Sequence, residues 1–290
     1  MRKIPIELLI TIYICILPML VQVVAQNNDF SIVLFPDTQG EVAYKHETWE
    51  SMPKWTVDNK ANMNIKAVIG LGDVTDTNTA PEYSEAVKGW NIIKNADIVY
   101  VPIRGNHDAT SSLWNQYFGT SYFSGKTWFG GAYKNDTSTY YVKFNSGSYE
   151  YLVLALGYNP NDARLTWAQN IINSNDDLEI IVVTHSYLNA TNLTIEGENI
   201  WNKLVEQNKN IFLVVCGHLW PPFRSYVVAT GTNRNKINQL CVDYEGVGRG
   251  RGYIEILKFQ PSKSRITSVT FSPSLNRTIG EAYITPYATH

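Results

Sequence analysis

The segment IKAVIGLGD (65–73) is a nearly continuous apolar run that ends in a carboxylate, and it indicates the fold class of the chain. Two similar runs flank it, FSIVLFPD (30–37) and IVYVPIRGNHD (98–108). Uninterrupted apolar runs of this length are typical of strands buried on both faces. Apolar residues at helical spacing lie between them, most clearly at positions 83, 86, 87, 90 and 93. This strand–helix–strand rhythm predicts parallel strands joined by right-handed crossovers.

The rest of the chain continues the alternation and then changes character. Strands are predicted at YEYLVLALG (149–157), LEIIVVTH (178–185) and IFLVVCGH (211–218). Helices are predicted between them, near 162–173 and 199–208. After residue 218, four strand-like segments follow one another with short turns, which favours mainly antiparallel pairing. We therefore expect an α/β sandwich whose second sheet is completed by the C-terminal third.

The N-terminus is typical of a secretory signal. Residues 1–25 join Arg2 and Lys3 to an apolar stretch and end in VVA, which fits cleavage after Ala25. Residues 26–290 are then predicted to form a single domain, because no linker or charge run divides them. The predicted location is secreted or extracellular, with no membrane span after cleavage. The alternative is a signal that remains in the membrane as an anchor.

The net charge bears on nucleic-acid binding, and the glycosylation motifs bear on surface exposure. Removal of residues 1–25 takes the formal charge from −2 to about −3, so no strongly basic surface for nucleic acid is expected. Four N-glycosylation motifs predict exposed positions in a secreted glycoprotein: Asn135, Asn189, Asn192 and Asn276.

Two further features leave alternatives open. Cys216 and Cys241 fit either a disulfide in an oxidising compartment or two buried thiols on neighbouring strands. The aromatic-rich segment 112–133 is interpreted as hydrophobic filling beneath a loop. The alternative is that its aromatic rings line a substrate pocket or bind a glycan.

Polar side chains follow five of the predicted strands, at the point where each strand ends. They are Asp37, Asp73, Asn106, His185 and His218. Because the carboxyl ends of strands in open α/β sheets form the ligand crevice, we expect these side chains to converge. Carboxylate and amide oxygens together with two imidazoles form a set that can bind a metal ion.

These segments resemble the motifs of the calcineurin-like metallophosphoesterase superfamily, which includes purple acid phosphatases and many phosphodiesterases. The pattern of that family is D-x-H, G-D-x-x-D, G-N-H-[DE], a strand-end histidine and G-H-x-H. Here it reads DTQ (37–39), GDVTD (72–76), GNHD (105–108), VVTH (182–185) and GHLW (217–220). The resemblance implies a four-layer α/β/β/α sandwich of two mixed sheets, with two metal ions above the strand ends.

The resemblance also implies a ligand set, from which this chain departs at two positions. Asp73 would bridge the two ions, and one ion would be completed by Asn106, His185 and His218. Asp37 would serve the other ion, but the two histidines expected beside it are replaced by Gln39 and Trp220. An amide oxygen coordinates weakly, and an indole has no lone pair to offer. We therefore expect one or two divalent ions (Mn, Zn, Fe or Mg), the depleted all-oxygen site favouring Mg²⁺, Mn²⁺ or Ca²⁺.

The implied reaction is hydrolysis of a phosphate mono- or diester, small or glycan-linked, by a hydroxide held at the metal ions. His107 would face the leaving group as a general acid, and Asp76 would orient its imidazole. Two positions in the glycine-rich turn, Arg249 and Arg251, are candidates for contacts with the substrate phosphate, with a solvated turn as the alternative. Trp220 is a candidate stacking surface for a sugar or base ring, with simple packing as its alternative.

A second interpretation belongs to a different class of function. A catalytically impaired member of the family would keep the fold and act as a secreted protein that binds a phosphorylated ligand or a glycan. The two departures at the second metal site favour this interpretation, whereas the intact remaining motifs favour the enzyme. His46, in the loop predicted after the first strand, is a candidate replacement ligand. An exposed histidine without a ligand role is the alternative.

Overall fold

The computed structural model describes residues 28–108, 111–219, 223–246 and 250–284. The secretory signal expected at 1–25 lies outside these ranges, and so do Trp220 and Arg249. Within the described part of the chain, the helices are too short or too polar to cross a membrane.

The secondary structure follows the predicted alternation in the first two thirds of the chain, except between residues 111 and 146, where one helix and two strands were not predicted. The strands are β1 (Phe30–Phe35), β2 (Ile65–Gly70), β3 (Val99–Val101), β4 (Phe129–Tyr133), β5 (Asp136–Ser146), β6 (Tyr149–Leu156), β7 (Glu179–Val183), β8 (Leu188–Asn189), β9 (Asn192–Leu193), β10 (Ile211–Cys216), β11 (Phe223–Thr230), β12 (Lys236–Asp243), β13 (Ile254–Gln260), β14 (Arg265–Ser272) and β15 (Arg277–Ile284). The helices are α1 (Gln39–Tyr44), α2 (His46–Asp58), α3 (Ala80–Asn95), α4 (Ser111–Phe118), α5 (Asp162–Asn173) and α6 (Ile195–Ile200). Short 3₁₀ turns cover Thr120–Phe123 and Pro261–Lys263, and a π-helical turn covers Trp201–Val205.

The strands form two large mixed sheets and one small hairpin. The first sheet has the order β15-β14-β13-β1-β2-β3, in which β1, β2 and β3 are parallel. The second sheet has the order β11-β12-β10-β7-β6-β5-β4, in which β12, β10, β7 and β6 are parallel. The pair β8 and β9 forms the hairpin. The expected fold class of two mixed sheets with helices is confirmed.

The C-terminal third departs from the prediction in its sheet membership. It was expected to complete the second sheet, but only β11 and β12 do so. Strands β13, β14 and β15 join the first sheet, with β13 antiparallel to β1. In addition, β12 pairs in parallel with β10 on one side and antiparallel with β11 on the other. Short alternating strands do not encode which sheet accepts them, because pairing depends on packing with residues far along the chain.

The core lies between the two sheets and continues under the outer helices. Phe30 of the first sheet packs against Phe144 and Tyr151 of the second, with ring centroids 5.9 and 5.0 Å apart. On the outer face of the first sheet, Trp49 of α2 and Trp90 of α3 are fully buried. On the outer face of the second sheet, α5 contributes to a separate apolar cluster. These contacts produce the four layers.

The aromatic-rich segment 112–133 fills the core, as predicted. Trp114 and Phe118 of α4 are fully buried, and Phe123 of the following 3₁₀ turn stacks on Phe129 with centroids 4.6 Å apart. Burial of large aromatic rings contributes strongly to stability because each removes much apolar surface from water. The alternative role of this segment as a pocket lining is therefore not needed to explain its composition.

The glycosylation motifs and the cysteines also have defined positions. The asparagines of all four motifs are exposed, as expected for acceptor sites. Cys216 and Cys241 are buried free thiols that face each other in the parallel register of β10 and β12. Of the two alternatives for this pair, the structure has the buried thiols.

Candidate metal centre

Parallel strands of both sheets end at a common site, and the five predicted strand-end side chains lie there. His185, which follows β7, is completely buried and forms the centre of the group. Its Nε2 lies 2.8 Å from Asn106 Oδ1, 3.1 Å from His218 Nδ1 and 3.2 Å from Asp73 Oδ2. The first and second sheets thus contribute donors to one cluster, as the strand-end pattern predicted.

The hydrogen bonding of His185 leaves one ring nitrogen available for a metal ion. Its Nδ1 lies 2.8 Å from the carbonyl oxygen of Leu71, so this nitrogen carries the proton and donates. Nε2 then presents its lone pair to the other donors, which is the arrangement that second-shell hydrogen bonds fix in metal-binding histidines. Donor atoms of Asp73, His185 and His218 lie within 4.8 Å of one another, and this set fits a divalent cation.

The electrostatics of the cluster favour a positive charge at its centre. Burial lowers the pKa of His185, but the carboxylates of Asp73 and Asp37 outweigh burial and raise that pKa to about 10. Burial and the charge of His185 lower the pKa of His218, which keeps that imidazole in its neutral, coordinating form. A cation is therefore stabilised here, whether as a proton on His185 or as a metal ion.

Left-handed backbone directs two of these side chains into the site. Asp73 has φ +45° and His218 has φ +70°, and non-glycine residues rarely adopt such angles. Gly72 before Asp73 has φ +102°, and a β-carbon there would lie only 2.2 Å from His185 Nδ1. A β-carbon at Gly105 would lie 2.1 Å from Asp73 Oδ1. Both glycines are therefore required by close approach, and strain of this kind accumulates at functional sites.

Asp108 joins the two loops that carry Asp73 and Asn106. Its buried carboxylate accepts hydrogen bonds from the backbone of Val74 (3.0 Å), Thr75 (2.9 Å) and Gly105 (2.9 Å). A buried carboxylate with several N–H donors holds a loop firmly, because each charged hydrogen bond is stronger than a neutral one. The GNHD motif thus supplies a structural anchor as well as a ligand.

Asp37 and Gln39 each have a buried oxygen atom that no donor reaches within the described part of the chain. Asp37 is 5% exposed, and its Oδ2 accepts from the backbone N–H of His218 at 3.0 Å. Asp37 Oδ1 and Gln39 Oε1 are buried without a hydrogen-bond partner among the described residues. Because an unsatisfied buried acceptor is costly, these atoms fit a cation ligand role. Trp220, which replaces the other histidine expected at this second site and is a candidate substrate contact, lies outside the described ranges.

His107 is fixed beside the cluster by the backbone. Its N–H donates to Asp73 Oδ1 at 2.8 Å, and its Nδ1 lies 2.7 Å from the carbonyl oxygen of Asp76. The Asp76 carboxylate lies farther from Nδ1, at 3.7 Å, and accepts from the hydroxyl of Tyr44 at 2.6 Å. Burial lowers the pKa of His107, but the Asp76 carbonyl and the nearby carboxylates outweigh it, so the pKa is raised. Asp76 therefore orients the ring mainly through its carbonyl group.

Three residues at this site were not predicted from the sequence. Tyr158, which follows β6, places its ring 5.9 Å from the rings of both His185 and His218. Asp243 ends β12 and is 4% exposed. Glu196 lines a cavity of about 850 Å³ that opens beside His218, together with Tyr158. Tyr158 and Asp243 follow the same strand-end rule as the predicted ligands, so knowledge of which strands are parallel would have found them.

Two other predicted residues have their recorded contacts outside the cluster. His46 begins α2, and its Nδ1 lies 3.9 Å from Glu85 Oε2, so its ring faces α3. The side chain of Arg251 is exposed, and its carbonyl accepts from the hydroxyls of Ser272 and Ser274. The suggested contacts of Arg251 and Arg249 with a substrate phosphate remain predictions.

Comparison with known proteins agrees with the geometry. A family model described as calcineurin-like phosphoesterase matches residues 30–222. The Bacillus subtilis (strain 168) protein YvnB is 26% identical over 256 residues, which cover 84% of this chain but only 20% of YvnB. The chain therefore spans about a fifth of the length of that curated relative.

Solved structures share the fold at low sequence identity. Purple acid phosphatase PPD1 from yellow lupin seeds has a TM-score of 0.57 and 12% identity, covering 90% of this chain and 54% of its own. GAP50, described as the anchor in the inner membrane complex of Plasmodium, has a TM-score of 0.53 and 9% identity, covering 89% of both chains. At these identities the likeness extends to the fold alone.

Proposed function

Because the chain belongs to the calcineurin-like phosphoesterase family, we propose that it is a secreted hydrolase of a phosphate mono- or diester. Membership supports a metal-dependent phosphoric ester hydrolase. The activity, the substrate, the location and the state of the second metal site belong to the proposal. The observation that carries the proposal is the convergence of three donor atoms, from Asp73, Asn106 and His218, on His185 Nε2.

Four residues would hold the first ion. They supply two imidazole nitrogens and two oxygens, a donor set suited to a divalent transition metal: Asp73, Asn106, His185 and His218. A bound ion would polarise the phosphoryl oxygens and lower the pKa of water. The Leu71 carbonyl keeps His185 in the required tautomer, and the hydrogen bond from His107 N–H holds Asp73 in place.

His107 would supply the proton for the departing alkoxide. The Asp76 carbonyl occupies Nδ1, so Nε2 is the ring nitrogen that exchanges a proton with the substrate. The raised pKa of His107 increases the protonated fraction near neutral pH, which suits a general acid. The Asp76 carboxylate, 3.7 Å from Nδ1, stabilises the imidazolium.

The cavity beside His218 is the proposed place for the organic part of the substrate. Its lining combines the ring of Tyr158 with Asn159, Asn199 and Glu196. Burial raises the pKa of Glu196 to about 7, although the N–H of Asn159 donates to it at 2.8 Å. An aromatic face with amides and a carboxyl group suits a hydroxylated leaving group better than a second phosphate.

Secretion is proposed from two features of the sequence. The first 25 residues have the charge, apolar stretch and small-residue end of a secretory signal. The exposed asparagines of the four glycosylation motifs are compatible with a secreted glycoprotein. Sequencing of the N-terminus of the secreted chain tests this, and a protein that begins at Met1 in the membrane fraction would contradict it.

A pair of variants tests the proposed reaction. We expect Asp73→Ala to lose both bound metal and hydrolysis, because its carboxylate joins the two halves of the site. We expect His107→Ala to keep its metal and to lose about 10²–10⁴-fold in kcat, the usual contribution of a general acid. The measurements are metal content by elemental analysis and hydrolysis of p-nitrophenyl phosphate and its bis ester.

The matched control is Asp58→Ala, an exposed carboxylate at the end of α2. It should leave both metal content and turnover unchanged. Equal hydrolysis by the wild type and the Asp73 variant would contradict the proposed enzyme. Tight binding of a phosphoester without turnover would instead favour the ligand-binding function, to which the loss of histidines at positions 39 and 220 also points.

A further inference from the structure

The second metal position lacks ligands that the sequence motifs would normally supply. Gln39 offers only an amide oxygen, and the tryptophan at position 220 has no lone pair for a metal. Asp37 nevertheless remains 5% exposed, with Oδ1 free of hydrogen-bond partners among the described residues. A β-carbon at Gly217 would lie 2.1 Å from that oxygen, so Asp37 Oδ1 packs against the end of β10. A further donor for this position should therefore come from next to β10.

Strand β12 brings such a donor to the end of β10. Cys216 and Cys241 are partners in the parallel register, and the Cys241 thiol donates to the Gly217 carbonyl at 3.3 Å. Two residues beyond these partners are His218 on one strand and Asp243 on the other. Asp243 is 4% exposed, and its Oδ1 accepts from the Glu245 N–H at 2.9 Å. A buried carboxylate therefore ends the strand that neighbours β10.

The strand register brings the two buried carboxylates to the same strand end. Asp37 Oδ2 accepts from the backbone N–H of His218 at 3.0 Å, and Asp243 has the corresponding position on the neighbouring strand β12. Within the described residues, neither carboxylate forms an ion pair with a lysine or arginine. A cation beside buried carboxylates offsets the cost of removing them from water.

We propose that Asp243 supplies the ligand that residue 220 does not, so that a second, all-oxygen site takes a hard divalent cation. The donors of this site are carboxylates and one amide: Asp37, Gln39, Asp73 and Asp243. The inference rests on the proposed function for the first site and assigns a ligand outside the family motifs. Asp37 and Asp243 lie outside the donors that approach within 4.8 Å of one another, so binding requires these carboxylates to move closer.

The second, all-oxygen site is expected to accept different cations from the first site. Two imidazoles at the first site suit Zn²⁺ or Fe, whereas four oxygen donors suit Mg²⁺, Ca²⁺ or Mn²⁺. The centre would therefore hold two different ions. This difference allows each site to be filled and measured separately.

Metal binding to the full mature chain tests the inference without any measurement of turnover. The protein is loaded with one equivalent of Zn²⁺ and titrated with Mn²⁺ at pH 8, with bound Mn²⁺ followed by electron paramagnetic resonance. We expect the wild type to bind one Mn²⁺ beside the zinc. Asp243→Asn should keep the zinc and weaken Mn²⁺ binding by at least the roughly tenfold that loss of an outer-shell partner costs. Asp58→Asn, an exposed control on α2, should match the wild type.

Thermal unfolding of the same variants separates a metal ligand from a structural carboxylate. Without added metal, Asp243→Asn should have a Tm at or above that of the wild type, because the amide keeps the shape of the side chain and needs no cation beside it. With saturating Mn²⁺, the wild type should have the higher Tm, because only it gains the stabilisation of a bound ion. A variant with a lower Tm under both conditions, or with wild-type Mn²⁺ affinity, would overturn the inference.

These outcomes are distinguishable from failure of the proposed function. A chain that binds Zn²⁺ and Mn²⁺ as described but does not hydrolyse phosphoesters would contradict the enzyme and retain Asp243 as a ligand. A chain that hydrolyses phosphoesters with zinc alone and takes no second ion would retain the enzyme and overturn the ligand role of Asp243.

Discussion

Single residues at the strand ends are held in conformations that most side chains avoid. Asp73 and His218 have positive φ, and the glycine before Asp73 lies against the ring of His185. The positive φ angles and the close packing at this glycine place donors of the two sheets beside one another. The chain tolerates this strain because hydrogen bonds hold the surrounding loops in place, notably the four that the Asp108 carboxylate accepts.

Substitution of Gly72 by alanine should therefore damage the metal centre more than the fold. The added β-carbon would lie 2.2 Å from His185 Nδ1 and would break the hydrogen bond to Leu71. We expect metal affinity to fall about 10- to 100-fold, as for other losses of outer-shell support. The measurement is competition with a chelator of known affinity.

Gly125→Ala is the matched control for this substitution. Gly125 has φ +75°, but a β-carbon there meets nothing within 4 Å. That variant should lose only about 1–2 kcal/mol of unfolding free energy, because alanine disfavours the left-handed backbone, and it should keep its metal affinity. Equal metal affinity in the two variants would show that the contact with His185 has no role.

At the scale of elements, one carboxylate joins three pieces of secondary structure. Asp136 begins β5 and accepts from the backbone N–H of Ser138 (2.9 Å), from Asn115 of α4 (3.2 Å) and from the guanidinium of Arg164 of α5. Burial raises the pKa of Asp136, but the hydrogen bonds and the charge of Arg164 outweigh burial and lower that pKa to about 2. The ionised carboxylate therefore stabilises the junction of α4, β5 and α5.

The contribution of Asp136 should depend on pH with a definite sign. Its folded pKa of about 2 is below the unfolded value near 4, so the stabilisation is complete above about pH 4. It is lost as the pH falls through 2. We expect Asp136→Asn to have a lower Tm than the wild type at pH 6, and the difference to shrink between pH 4 and pH 2.

The exposed ion pair of Lys203 with Asp162 provides the control for this prediction. Both side chains are largely exposed, at 46% and 75%. Asp162→Asn should change the Tm little at any pH, because exposed ion pairs contribute less than about 1 kcal/mol. A constant Tm difference for Asp136→Asn over the whole pH range would contradict its ionisation as the cause.

At the scale of the whole molecule, a buried ion pair bridges the two sheets. Glu255 of β13 in the first sheet is fully buried, and Arg224 of β11 in the second sheet reaches it with Nη1 at 3.2 Å from Oε1. Thr270 Oγ1 donates to Glu255 Oε2 at 2.6 Å, and the Ser268 hydroxyl also donates to the carboxylate. The C-terminal strands thus link the sheets through charge as well as through apolar packing.

Removal of the arginine should leave an uncompensated charge in the interior. We expect Arg224→Met to lower the free energy of unfolding by about 3 kcal/mol at pH 8, the low end for a broken buried pair. Burial raises the pKa of Glu255 despite its hydrogen bonds, so protonation should reduce this loss at pH 5. Arg277→Met, at an exposed position of β15, is the matched control and should change stability by less than about 0.5 kcal/mol. Equal stability of the two variants in urea denaturation would contradict the role of Arg224.

The buried strands that carry the site, the helices between them and the five strand-end donors could be predicted from the sequence alone, whereas the helix and two strands between residues 111 and 146 could not. The predictable features are local, since a buried strand needs a continuous apolar run and a ligand follows directly at its end. The filling role of segment 112–133 and the exposure of the glycosylation motifs were predictable for the same reason.

Which sheet each C-terminal strand joins, and therefore the position of Asp243, depends on the folded chain. The sequence of β12 suits an antiparallel or a parallel neighbour equally well, and the choice depends on packing against β10, which is far along the chain. The orientation of His107 by the Asp76 carbonyl could likewise not be predicted from the sequence, because every residue has a carbonyl group. Only the folded loops place the Asp76 carbonyl oxygen 2.7 Å from His107 Nδ1. Long-range pairing and backbone contacts leave no local mark in the sequence, so the structure was needed to complete the site.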